Sequence, residues 1–113
     1  MPSQLFAVMN TRGPAWNDAV AMEEQIDWRA HADYMNALVA EGFMRLGGPF
    51  TGTCDVLLIV QAESEADVEA RLAADCWMVK GLLRTLHIHP WRLRLGSLDP
   101  SATLKVAGGA SLQ

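Results

Sequence analysis

The 113 residues have room for one domain, because domains mostly run to about 100–150 residues. Half the residues are hydrophobic and 19% are charged, which excludes a disordered chain of low hydrophobicity and high net charge. Nine Lys+Arg against 13 Asp+Glu leave a net charge of −4, and a chain without a basic face does not suit duplex nucleic acid.

Leu5-Phe6-Ala7-Val8-Met9 reads as a strand covered on both faces. Asn10-Thr11-Arg12-Gly13-Pro14 ends it with loop chemistry. Trp16-Asn17-Asp18 then leads into a long helix running to near Glu41. Asn17 or Asp18 accepts the free N–H groups of its first turn, and Gly42 supplies the left-handed stop. Met22, Ile26, Ala30, Ala37 and Leu38 fall mostly at helical spacings, with Trp28, Met35 and Val39 as an adjoining stripe.

Phe43 to Leu46 reads as the second strand, stopped by a tight turn at Gly47-Gly48-Pro49 that lacks any phosphate-cradle pattern. Cys54 to Ala62 is the third, apolar on both faces at its centre. Ser64-Glu65-Ala66-Asp67 matches a capping box, and a helix follows to about Ala74. Asp75 is placed to cap a short turn, Cys76 to Lys80, closed by Gly81. Leu83 to Leu95 is the fourth strand, with Pro90 marking an edge or a bulge.

The order β-α-β-β-α-β is the ferredoxin-like arrangement, an α+β fold. It puts two helices on one face of a four-stranded antiparallel sheet and leaves the other face bare. Strands apolar on both sides call for a second subunit packed sheet to sheet, and a C2 homodimer is the commonest solution. The domain spans 1–96. The stretch 97–113 is rich in Gly, Ala and Ser and is either a flexible tail or an arm lying on the partner.

The N-terminus does not read as a signal peptide. The longest aliphatic run, Val56 to Val60, falls far short of the roughly 20 residues that span a bilayer. Cys54 and Cys76 have no CxxC spacing, so reduced thiols in a cytoplasm, serving packing, are the simpler expectation. No membrane partner is expected.

His31 sits within the first helix, where an imidazole can move protons near neutral pH or can simply be a half-exposed helical residue. Asp27 lies one turn earlier on the same face and is a candidate to orient it. Asp75 is expected as a cap; if it met His31 in space, the two would form a base with its orienting acid. His87 and His89 alternate along the fourth strand and share a face. Two imidazoles fall short of a metal site, which takes a third ligand that no residue supplies at a suitable spacing, so neither metal nor cofactor is expected. Trp16, Trp28, Trp77 and Trp91 suit core or interface, and several near one cleft would suit a flat apolar ligand.

With those residues in hand, the chain resembles the YCII-related family. His31 is followed eleven residues on by Gly42, then by Leu46-Gly47-Gly48-Pro49, matching that family's strand-end Gly-Pro. Asp75, Gly81 and Pro90 fit its Asp-Pro…Gly…Pro arrangement, with Cys76 standing where Pro follows the Asp. The likeness covers roughly residues 4–95. It implies a ferredoxin-like fold, a dimeric α/β barrel, and an active site using His31 and Asp75. Some members are linked to elimination chemistry on hydroxylated, halogenated aromatics.

The resulting expectation is a cofactor-independent lyase, isomerase or cyclase acting on a cyclic or aromatic small molecule. His31 would shuttle the proton and Asp75 would orient it. Trp28, Trp77, Trp91, His87, His89, Gly48 and Pro49 would contact the substrate. The rival expectation is a non-catalytic dimer that binds a small molecule in the same cleft.

Overall fold

The computed structural model describes residues 3–98. Strand β1 (Gln4–Arg12) is followed by a 3-10 turn (Met22–Glu24) and helix α1 (Trp28–Ala40). Strands β2 (Met44–Pro49) and β3 (Asp55–Ala62) come next, then helices α2 (Glu65–Ala73) and α3 (Cys76–Val79) and strand β4 (Leu83–Trp91). The sheet order is β2-β3-β1-β4, and every neighbouring pair is antiparallel. This is the α+β, ferredoxin-like arrangement read from the sequence. The expected flexible tail, 97–113, lies outside the described residues from 99 onward.

Period-two alternation divides β1 cleanly. Phe6, Val8 and Asn10 are buried toward the helices, while Leu5, Ala7 and Met9 face the other way and are only half-buried. Phe6 and Val8 pack with Leu58, Val60, Val68 and Leu72 in the core between sheet and helices. Tyr34 and Met35 bring α1 onto this cluster, and the Tyr34 hydroxyl donates to the Arg71 carbonyl of α2 at 2.6 Å.

The bare face carries Ala7 and Met9, paired with His89 and His87, and Leu5, paired with Trp91. Leu46, opposite Ile59, lies on this face and is half exposed. Apolar side chains therefore do line the face that the helices leave open.

Three boundaries differ from the sequence reading. Helix α1 starts at Trp28, not near Asn17. Asn17 instead serves its own loop, its Oδ1 accepting from Ala19 N–H at 2.9 Å. The buried Gln25 holds that loop by bonding Asn17 N–H, Asn17 carbonyl and Val20 carbonyl. The chain then enters α1 through Asp27 at φ 60, a left-handed residue whose side chain caps nothing. Gly47, Gly48 and Pro49 belong to β2 rather than to a turn, and β4 ends at Trp91 rather than Leu95. The Ser64 cap holds: its hydroxyl accepts from Asp67 N–H at 3.1 Å.

Candidate functional site

Asp75 occupies the N-cap position of α3, yet its side chain makes no cap bond there. A four-residue helix offers little for a carboxylate to stabilise. The side chain turns instead to His31, whose Nδ1 lies 2.8 Å from Asp75 Oδ2 across 44 positions of sequence. Both groups are sheltered, with 12% of the His31 side chain and 2% of Asp75 exposed. A buried carboxylate needs a partner, and here Nδ1–H donates to it. That bond fixes the tautomer and leaves the Nε2 lone pair, which has no hydrogen-bond partner among the described residues, for a ligand. Among the described residues, Asp75 Oδ1 is buried without a hydrogen-bond partner. It is an acceptor that a donor from a bound molecule would satisfy.

Asp27 does not orient the imidazole. Its carboxylate takes the Lys80 ammonium instead, and only its carbonyl meets His31, accepting the backbone N–H at 3.0 Å. The Asp27 carboxylate holds the Lys80 ammonium above its ordinary pKa through that hydrogen bond. Burial raises the Cys76 thiol, and the Asp75 and Asp27 carboxylates raise it further.

An aromatic ladder supports the pair. The His31 ring stacks on Trp77 at 3.8 Å between centroids and 7° between planes. Trp77 meets Trp16 edge-on at 5.4 Å and Trp28 at 5.8 Å. Trp77 is 2% exposed, and its Nε1–H donates to the Ile26 carbonyl at 2.7 Å, tying α3 to the entrance of α1. Arg12 closes the ladder, its guanidinium 4.6 Å from the Trp16 ring centroid.

His31, Asp75, Trp77, Trp16 and Arg12 help wall a cavity of about 310 Å3 between the helices and the sheet. His31, Asp75 and Trp77 stand on its helix side, Asn10, Val56 and Leu58 on its sheet side, and Arg12, Trp16, Cys54 and Asp55 also line it. The mostly apolar wall, with a few converging polar groups, suits a small organic molecule.

Of the residues expected around a substrate, His31, Asp75, Trp77 and Pro49 line this cavity. Trp28 stands behind His31, 6.1 Å away between ring centroids, and is not in the wall. Gly48 is also outside it, while Gly47 is within. Trp91, His87 and His89 are turned to the bare face of the sheet, because their partners Leu5, Met9 and Ala7 alternate away from the helices. They therefore lie across the sheet from His31. His87 and His89 stack on each other at 5.5 Å.

Arg12 and Asn10 were missed as wall residues, although both follow Val8 at period two and so share its face. Among the described residues, no three His, Cys, Asp or Glu side chains are grouped to hold a metal ion. No helix among them is long and apolar enough to cross a membrane.

The family model of the YCII-related domain matches residues 5–92. No curated protein matches the chain. Among solved structures, the 5-chloro-2-hydroxyhydroquinone dehydrochlorinase of Burkholderia phenoliruptrix, in complex with 2,5-dihydroxybenzoquinone, is similar in fold. It is 24% identical with a TM-score of 0.55, and the match covers 81% of this chain and 95% of that one.

Proposed function

The chain belongs to the YCII-related family, and on that premise we propose that it is a cofactor-independent small-molecule enzyme of lyase, isomerase or cyclase type, acting on a cyclic or aromatic substrate. The observation that carries this reading is the 2.8 Å contact between His31 Nδ1 and Asp75 Oδ2 at the wall of an apolar cavity. With Nδ1–H committed to the carboxylate, Nε2 is the atom that takes a proton from a bound substrate and returns it. Asp75 stabilises the imidazolium formed on the way and receives no proton itself. Trp77, flat beneath His31, keeps the ring from turning and offers its π-face to the charged form.

The fold is shared with a dehydrochlorinase whose structure is a complex with 2,5-dihydroxybenzoquinone, which supports a flat oxygenated ring as the type of ligand. The bare sheet face, with Leu46 and Trp91 exposed, supports a homodimer, and sedimentation is expected to give twice the 12.4 kDa chain mass. Cytoplasmic residence remains part of the same proposal.

The test pairs binding with turnover. Calorimetry should detect 2,5-dihydroxybenzoquinone on the wild type, and halide release from a hydroxylated haloarene should require His31. A His31→Ala variant that stays folded but turns over at the wild-type rate would remove His31 from the reaction and overturn the His31–Asp75 mechanism. A ligand bound equally by both proteins, with no turnover by either, would leave the non-catalytic binding reading instead.

A further inference from the structure

The cavity wall contains one side chain from the Lys and Arg set, Arg12, and its bonding is incomplete. Nη1 is 3.8 Å from Cys54 Sγ and 3.8 Å from Asp18 Oδ1, both at the long limit of polar contact. Asp18 is 87% exposed, so that ion pair is a solvated one of small worth. The remaining guanidinium N–H groups have no partner among the described residues. The group is nevertheless held in place, its Cζ lying over the Trp16 ring 4.6 Å from the centroid, and Trp16 is itself fixed edge-on against Trp77.

A planar fork of donors, pinned on an indole at an apolar cavity, is what recognition of a carboxylate or an ionised ring oxygen requires. Two carboxylates share the wall. Asp75 is engaged by His31. Asp55 lines the cavity but forms no ion pair with Arg12, so no carboxylate of the wall neutralises the guanidinium, whose side chain is 38% exposed.

We propose that Arg12 is a specificity-determining residue that selects ring substrates carrying an anionic oxygen group. This rests on the reading of the cavity as the substrate site. The anionic group would sit on the guanidinium, and the ring would extend along the apolar wall toward His31 and Asp75.

The experiment compares two probes of nearly identical shape, 2,5-dihydroxybenzoate and 2,5-dihydroxybenzamide, by calorimetry on wild type, Arg12→Gln, Arg12→Lys and His31→Ala. The wild type should prefer the acid by about tenfold or more, the range of a charge-assisted hydrogen bond. Arg12→Gln should lose that preference while binding the amide as the wild type does, and Arg12→Lys should recover part of it. Retention of the preference in Arg12→Gln, with its loss in His31→Ala, would assign the anion to the imidazole and overturn the proposal. Equal loss of both probes in Arg12→Gln would also overturn it, since Arg12 would then only be holding Trp16. If the amide binds the wild type but no acid preference exists, Arg12 selectivity fails and the cavity reading stands. If neither probe binds, both fall.

Discussion

The imidazole of His31 lies flat on the indole of Trp77, 3.8 Å between centroids, while the same indole donates its N–H to the Ile26 carbonyl at 2.7 Å. One buried side chain thus anchors α3 to the entrance of α1 and sets the plane of the proton-carrying ring. A carboxylate on one edge of the imidazole and an aromatic face beneath it fix both its tautomer and its tilt. Such pre-organisation removes reorientation from the reacting step.

Trp77→Phe is the most direct probe of that double role. The phenyl ring keeps a flat surface under His31 but strands the Ile26 carbonyl and leaves unfilled volume. Urea unfolding should show a loss of about 2–4 kcal/mol from the lost bond and the cavity together. An unchanged midpoint would mean that the indole is dispensable to the junction.

Asp75→Asn keeps the shape and changes the chemistry. An amide can present N–H to Nδ1 and so favour the tautomer with the proton on Nε2, where a base is needed. Turnover of a ring substrate should fall by about 10²–10⁴, with binding of the neutral dihydroxybenzamide little changed. Full turnover in the variant would remove Asp75 from the proton pathway.

Local pattern carried the strands and the α2 cap, because Phe6, Val8, Leu58 and Val60 and the Ser64–Asp67 bond depend on neighbours in sequence. The start of α1 was illegible for the opposite reason. Asn17 looks like a cap, but its groups are engaged by Gln25 eight residues on, and the helix waits for a left-handed Asp27. Asp75 likewise reads as a cap of its own turn, since nothing local announces a partner 44 residues away. Alternation put His87 and His89 on one face, but period two alone does not say which face the helices cover.

Two glycines near the site should respond differently to a methyl group. The Gly13 N–H donates to Leu82 carbonyl at 2.8 Å, and Ala15 N–H to Gly81 carbonyl at 3.0 Å, closing the loop after β1 onto the turn before β4. A Cβ on Gly13 would press into the Gly81 carbonyl group, reaching its carbon at 3.0 Å. Backbone on backbone has little room to yield, so Gly13→Ala should cost about 1–3 kcal/mol. At Gly48 an added Cβ meets nothing within 4 Å, and Gly48→Ala should stay within about 0.5 kcal/mol. Thermal unfolding of both variants checks the contrast; equal losses would contradict the close approach at Gly13.

The two thiols should differ in reactivity. Cys54 is exposed, whereas Cys76 is half-buried, and burial, followed by Asp75 and Asp27, raises its thiol above the ordinary 9.0. At about pH 8 iodoacetamide should therefore modify Cys54 first and reach Cys76 mainly after unfolding. Because the folded thiol holds its proton more tightly, Cys76 contributes stability that is whole below 9.0. That contribution is lost as the pH rises through the raised folded value, where the unfolded chain has already ionised. Cys76→Ala should flatten this alkaline decline. Mass spectrometry of the native protein decides the matter, and equal labelling of both cysteines would refute the sheltered thiol.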